Sequence, residues 1–485
     1  MLHITSSTVA DLFDVAGTRS LEQAAAATLA PHTLMQRAGL AVARLAMAIT
    51  PHAGTVWIAC GPGNNGGDGL EAAAQLAQRG FAPVVTWLGH PERAPPDARA
   101  SFQRAQTAGV AFTDLPPATW DLAIDALLGI GASRPPDGAM AQWLRQMHAG
   151  PAPVLSVDVP SGLDAGTGCL AADTMPPGVH GAARVCLSLL TLKPGLFTAQ
   201  GRDAAGEVWL DDLACDASAA TPAARLAGAP PPRQRLQASH KGSYGDVAVI
   251  GGAAGMAGAA LMAASAALHA GAGRVFAGLL DGRAALDTSQ PELMLRDPAS
   301  LDLGRMTAVV GCGGGDAIRA LLPRVLSTAR QAVIDADALN AIASDSALQR
   351  LLEARGRRGQ PTVLTPHPLE AARLLGADTS TVQADRLRAA QQLADRFGST
   401  VVLKGSGTVI AAPGERPSIN LTGNARLASA GTGDVLAGMV GAALASGLPA
   451  LPAAREAVWL HGHLADRWPA EVPLTAGALA RGGAR

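Results

Sequence analysis

Two series of short apolar runs, each run parted from the next by an alanine-rich helical stretch, constrain this chain more than any other feature. The first series is GTVWIAC, APVVTWLG, WDLAIDALLG, APVLSVDVP and ARVCLSLLTLK. The second is GDVAVIGG, GRVFAGLL, MTAVVGCG, QAVIDAD, PTVLTPH and STVVLKG. Uninterrupted apolar runs bounded by turn residues fit strands buried on both faces. Helices between such strands imply parallel βαβ crossovers, so each series predicts an α/β domain with its own sheet. Between them, residues 214–240 read ACDASAATPAARLAGAPPPRQRLQASH, with three consecutive prolines that favour extended backbone. The expected division is a domain over 1–213, a proline- and alanine-rich linker over 214–235 and a second domain over 236–485. A length of 485 residues also favours two domains over one.

Composition narrows the function. The net charge is −1 and no basic tract occurs, which argues against a nucleic-acid partner. No apolar stretch reaches 18 residues, and the start MLHITSSTVADLFDV lacks a charged n-region and an apolar core. The five cysteines form no C-x-x-C pair. The expectation is a reducing, cytoplasmic setting, with small-molecule partners, no membrane and a homo-oligomeric assembly.

Ligands of parallel α/β sheets bind at the carboxyl ends of strands, beside helix N-termini. GPGNNGGDGL, residues 61–70, stands between an apolar run and the helical EAAAQLAQRG. Its glycines would let backbone N–H groups approach an anion, and the following helix adds a favourable dipole. A tight strand–helix turn is the plain alternative, but Asn64, Asn65 and Asp68 add polar side chains that a turn does not need. The stretch is neither G-x-G-x-x-G nor a Walker loop. Asp125 ends another apolar run and Asp158 a third, the latter followed by Pro160, Ser161 and Gly162. Each aspartate alone could cap a helix or turn; three polar strand ends on one sheet edge point to a common site. Oxygen donors from Asn65, Asp125 and Ser161 suit an alkali or alkaline-earth ion, leaving Asp158 as a general acid/base.

In the second series, NARLASAGTGDVLAG (424–438) sets glycines around Thr432, just before Asp434 and an apolar helix. Free N–H groups at a helix start stabilise a transferred phosphoryl group, and a neighbouring carboxylate takes the hydroxyl proton. Asp434 as a structural cap is the alternative.

These motifs resemble known families. LMQRAG (34–39), GPGNNGGDGL, DALLGIG, SVDVPSGLDAGTG and TLKPGL (191–196) stand in the order of the YjeF N-terminal domain, the NAD(P)H-hydrate epimerase, over roughly residues 10–213. That resemblance implies a Rossmann-like three-layer fold and bound K+, held by Asn65, Asp125 and Ser161. It places the hydrated nucleotide against Asn64, Asn65, Gly66, Gly67 and Asp68. It adds Gly129, Ile130, Gly131, Ala132, Ser133, Arg134 and Pro135, with Asp158 at the reacting ring. Lys193 also matches, with its role left open. AGTGDVLAGMVGA and VLKGSGTVIAAPG resemble the ribokinase-like anion hole and nucleotide-binding strands. With KGSYGDVAVIGG, VIDADALN and LTPHPLEAARLLG they resemble the YjeF C-terminal domain, the ADP-dependent NAD(P)H-hydrate dehydratase, over about 236–470. The implied contacts are Ala259, Gly315, His367 and Asp434 for the hydrated nucleotide. Lys404, Gly405, Ser406, Gly407, Thr408 and Gly433 would hold ADP, with Mg2+. Gln36, Gln290, Leu369 and GCGGG (311–315) depart from the family pattern.

The resemblance therefore implies repair of hydrated NADH and NADPH. One half would interconvert the R and S epimers. The other would dehydrate the S form with ADP, giving NAD(P)H, AMP and phosphate. An ATP-dependent kinase for a vitamin precursor, fused to a nucleotide-binding domain, is the competing enzymatic reading, and a regulatory module whose N-terminal half only senses nucleotide is the non-enzymatic one.

Overall fold

The computed structural model describes residues 1–132, 134–172, 174, 182–282 and 286–482. The chain forms two compact units, Met1–Thr5 with Ala10–Ala224, and Ser6–Val9 with the chain from Arg225 onward. Each apolar run has become a strand.

In the first unit the strands lie in the order Leu2–His3, Glu207–Asp211, Arg184–Leu189, Val154–Val157, Leu122–Ala126, Thr55–Cys60, Ala82–Trp87 and Ala111–Phe112. All neighbours pair in parallel except the short edge strand Leu2–His3. The order runs outward in both directions from Thr55–Cys60. The switch point therefore falls between that strand and Leu122–Ala126, where a crevice opens at the carboxyl ends. Burial on both faces explains why Trp57, Ile58, Leu122 and Ile124 show no polar alternation.

The helix after Thr55–Cys60 spans Asn64–Ala77, so it begins earlier than expected. The segment anticipated as an extended glycine loop shrinks to Gly61–Gly63, and Asn64 to Asp68 form the first turns of the helix. Its glycines serve close packing. A Cβ on Gly66 would fall 2.0 Å from the Gly61 carbonyl oxygen, and one on Gly67 would fall 2.6 Å from Met35 Cε. Gly39 of LMQRAG serves the same end: its Cβ would meet Glu71 Cβ at 2.4 Å, so helix Thr33–Ile49 lies tightly on Asn64–Ala77.

In the second unit the central order is Met294–Leu295, Arg274–Leu279, Asp246–Gly251, Thr307–Val310, Gln331–Ile334, Thr362–Leu364 and Thr400–Leu403, all parallel. Val409–Ala411 and Ser418–Ile419 follow antiparallel. Here the switch point lies between Asp246–Gly251 and Thr307–Val310. Helix Thr432–Ala445 covers the sheet and is apolar nearly all round because both its sides are buried. A Cβ on Gly438 would strike Ala263 O at 2.0 Å, which shows how closely this helix meets helix Ala257–His269.

The expected domain limits need two adjustments. The presumed linker is not a bare tether: Arg225 and Leu226 pair in parallel with Ser418 and Ile419, burying Leu226. Small residues leave that pairing possible where weak periodicity hid it. Ser6–Val9 belongs with the second unit, where Trp459 Nε1 donates to the Ser6 carbonyl at 2.9 Å. No helix among the described residues is long and apolar enough to cross a membrane.

Candidate functional site

A cavity of about 520 Å³ opens at the switch point of the first sheet. Asn64, Asn65, Asp68, Gly129, Ile130, Gly131, Ala132 and Asp158 line it. Gly66 and Gly67 do not: both are buried in the helix packing described above. Arg134 and Pro135 are exposed and do not line the cavity either, and Ser133 lies outside the described residues.

Asp158 follows strand Val154–Val157 with φ of 68°, a left-handed conformation that few side chains besides Asn and Asp accept readily. The turn aims its carboxylate across the sheet edge. There Oδ1 accepts from the Leu189 N–H at 3.3 Å and contacts Lys193 Nζ as an ion pair. Lys193 is fully buried, and its ammonium also donates to Leu189 O at 2.8 Å and Ser188 Oγ at 3.3 Å. The lysine whose role the sequence left open is thus the counter-charge of Asp158. Beneath the cavity, Ser161 Oγ donates to Asp125 Oδ1 at 2.6 Å and accepts from the Leu128 N–H at 2.9 Å. Ser161 N–H donates to Asp125 Oδ2 at 2.8 Å. Burial pushes the Asp125 carboxyl up, and these hydrogen bonds pull against it. Asn65 faces Gly129, its Oδ1 at 3.0 Å from where a Cβ on Gly129 would lie, and its amide nitrogen is buried without a partner among the described residues. Asp68 is driven well above the usual carboxylate range by burial and by the charges of Asp158 and Glu22. Helix Val15–Thr28 adds Thr18, Arg19 and Glu22 to the cavity, residues that no motif singled out.

In the second unit the G-T-G-D segment opens helix Thr432–Ala445, with Gly431 at φ 89° as its cap. Thr432 Oγ1 donates to Leu427 O at 2.8 Å, and His461 Nε2 holds the Thr432 carbonyl at 2.9 Å, fixing the turn. Asp434 lies in the first turn. Its ligand oxygen, Cys312 Sγ and an Asp335 oxygen are all within 4.8 Å of one another. Burial, and then the charge of Asp335, push Asp434 up to about 6, while the Cys312 thiol, which donates to Asp335 Oδ2 at 3.9 Å, and Lys404 oppose the rise. Lys404 Nζ donates to Asp335 Oδ1 at 2.8 Å and lies 3.2 Å from where a Cβ on Gly433 would be. Burial would lower the Lys404 pKa, but the carboxylates of Asp335 and Glu370 carry it above its ordinary value. Asp335 is buried and takes a further hydrogen bond from Thr365 Oγ1 at 2.8 Å.

The other expected contacts fall around this group. Gly315 N–H donates to Asp337 Oδ2 at 2.8 Å, so that amide is already engaged. Ala259 faces the glycine loop, its Cβ 2.9 Å from where a Cβ on Gly313 would stand. His367 caps helix Pro368–Leu375, its Nδ1 accepting from the Leu369 and Glu370 N–H groups, and Nε2 lies 3.2 Å from Glu370 Oε1. Burial pushes the buried Glu370 up to about 7. Gly405, Ser406, Gly407 and Thr408 form the turn between strands Thr400–Leu403 and Val409–Ala411. Buried Arg386 secures that turn by donating to Leu403 O and Lys404 O.

Comparison with known proteins matches residues 31–195 to the family model described as YjeF-related protein N-terminus, and 247–480 to that described as NAD(P)H-hydrate dehydratase. The chain is 35% identical over 460 residues to the bifunctional NAD(P)H-hydrate repair enzyme Nnr of Escherichia coli (strain K12), covering 90% of this chain and 85% of the relative. It is 43% identical over 256 residues to the ADP-dependent (S)-NAD(P)H-hydrate dehydratase of Neisseria meningitidis serogroup B, covering 51% of this chain and 85% of that protein. A solved ADP/ATP-dependent NAD(P)H-hydrate dehydratase from Bacillus subtilis is 30% identical, covers 52% of this chain and 92% of its own, and gives a TM-score of 0.44.

Proposed function

This chain belongs to the family of bifunctional NAD(P)H-hydrate repair enzymes, and from that premise we propose which residues carry each of its two reactions. The chain is an NAD(P)H-hydrate epimerase and an ADP-dependent NAD(P)H-hydrate dehydratase in one polypeptide. One observation supports the assignment of residues above the rest. Each unit has a carboxylate at the carboxyl edge of its sheet, with a lysine beside it or one carboxylate away.

In the first unit the hydrated ring lies in the cavity with its C6 hydroxyl toward Asp158. The ring nitrogen lone pair expels that hydroxyl, and the Asp158–Lys193 pair supplies the proton that turns it into water. Water then adds to the other face of the cation and returns a proton, which inverts the centre. K+ fits beneath this cavity. The donors of Asn65, Asp125 and Ser161 are hard oxygens, and the orphaned arm of Asn65 becomes an acceptor when the amide is turned. A bound K+ supplies positive charge that orders this edge and holds Asp125 ionised.

In the second unit Asp434 takes the proton of the S-epimer hydroxyl. The oxygen attacks the β-phosphoryl group of ADP, releasing AMP and forming a phosphate ester. Phosphate then leaves with its bonding electrons, the neighbouring ring carbon loses a proton, and NAD(P)H results. The N–H groups of Thr432–Asp434 and the Lys404 ammonium face the charge that develops on the transferred group. Lys404 to Thr408 and Gly433 cradle the adenosine nucleotide. Ala259, Gly315 and His367 border the hydrated nucleotide. Mg2+ neutralises the diphosphate when bound, and the carboxylates of Asp335 and Asp337 are the hard donors at that strand end.

The test is direct. The purified chain, mixed epimers of hydrated NADH and ADP should restore nicotinamide absorbance for the whole mixture. Recovery of only the S fraction, or none without ATP, would sink the assignment.

A further inference from the structure

The cavity of the first unit is lined by four carboxylates, Glu22, Asp68, Asp97 and Asp158. Among its described lining residues Arg19 is the one side chain with a permanent positive charge. Of the other basic side chains near it, Lys193 is paired with Asp158, His32 contacts Asp97 at 2.5 Å, and Arg37 donates to Leu213 O at 2.7 Å. A hydrated dinucleotide nevertheless brings a doubly charged pyrophosphate to this acidic surface, where like charge opposes an unpaired approach.

We infer that Arg19 binds the pyrophosphate of the hydrated dinucleotide, which makes helix Val15–Thr28 part of the epimerase site. This rests on the function proposed above. Arg19 stands upstream of residues 31–195, the span that matches the family model. Three observations place it. Its Nη2 lies 3.4 Å from where a Cβ on Gly131 would be, so the guanidinium leans on the Gly129–Ala132 loop that lines the same cavity. No hydrogen bond or ion pair of this guanidinium occurs among the described residues; its charge acts on Glu22, where it opposes the upward push of burial and of Asp158. The helix that carries it is fastened to the segment delivering Lys193. Thr18 Oγ1 and Thr191 Oγ1 share a hydrogen bond of 2.8 Å, and Phe13 N–H donates to Leu192 O at 2.8 Å. Asp14 caps the helix through the Gly17 N–H at 2.7 Å, and Leu21 is buried in the core. The residue after Thr18 is therefore held at a fixed distance from the Asp158–Lys193 pair. A guanidinium offers paired donors that match phosphate oxygens, and an ammonium offers only a point charge.

The experiment is steady-state epimerisation of hydrated NADH by the full chain, with wild type, Arg19→Ala, Arg19→Lys and Asp158→Asn. Arg19→Ala should raise KM tenfold or more with kcat within about threefold, and Arg19→Lys should recover part of the loss. ADP-dependent turnover of the S epimer by the same samples should be unchanged, and a circular dichroism melt with the wild-type transition of the first unit excludes its misfolding. An unchanged KM overturns the inference, as does a fall in kcat at constant KM, which would put Arg19 at the reacting ring. Full epimerase activity in Asp158→Asn would instead overturn the underlying assignment of this site.

Discussion

In the first unit the proposed acid/base touches its lysine: Asp158 and the buried Lys193 form a direct ion pair. In the second the lysine binds a different carboxylate, and Asp434 meets it only across Asp335. The same three ingredients, a strand-end carboxylate, a lysine and a helix start, thus give two electrostatic settings. The direct pair keeps a proton beside the cavity wall, which suits an exchange of water that must run in both directions. The indirect arrangement leaves Asp434 next to the negative charge of Asp335, and burial with that charge pushes it up to about 6. A carboxylate of that pKa is a stronger base than an exposed one, and it is still ionised at neutral pH. Lys404, released from pairing with the base, lies beside Gly433 at the helix start, where phosphoryl charge would develop.

The largest effects should come from exchanging the two acids for amides. Asp434→Asn is expected to slow dehydration about 10²–10⁴-fold and to leave epimerisation intact. Asp158→Asn should do the reverse, so a mixture of epimers shows a fast phase equal to the S fraction, then a remainder limited by spontaneous inversion. Chromatographic progress curves for each epimer measure both. If either substitution stops both reactions in a folded protein, the two sites are not independent and the comparison breaks.

Next comes Lys193→Met. It strands a largely buried carboxylate, a loss of about 3–5 kcal/mol, and should lower the thermal transition of the first unit. Adding Asp158→Asn should recover most of that stability. A melt unchanged by Lys193→Met would mean that Asp158 has no need of its partner.

A smaller effect is expected from Asp125→Ala. The ratio of epimerisation rates in K+ and in choline should fall toward one, while dehydration keeps its own dependence. A preserved ratio would place the ion elsewhere.

The smallest effect concerns pH. Protonated Asp434 cannot accept the hydroxyl proton, so kcat for dehydration should fall about tenfold per unit as pH drops below about 6. The thiol of Cys312 restrains the upward push on Asp434, so Cys312→Ala should move this limb to higher pH. An unmoved limb would show that the thiol does not bear on the base.

Much of this was legible in the chain itself. The apolar runs marked the strands, and the polar residues Asn65, Asp125 and Asp158 at or after strand ends and Asp434 at a helix start marked the edges where sites lie. The role of Gly66 and Gly67 was not legible, because glycine admits a ligand and admits a packed neighbour by the same lack of a side chain. Asp335 lay within VIDADALN with no site role given to it, and Thr18, Arg19 and Glu22 belonged to no motif. A lysine inside the apolar TLKPGL was the one available signal for a buried counter-charge.

Strand and helix periodicity, turn residues and caps are set within a few residues, so sequence alone determined two α/β units and the positions of their strand ends. Pairing between charges is not local. Lys193 lies 35 residues from Asp158, and Lys404 lies 69 from Asp335. Which strand becomes whose neighbour decides which of these groups meet, and that order follows from how the whole apolar surface is buried. Only the tertiary structure could therefore decide that one acid has its lysine in direct contact and the other has it one carboxylate away.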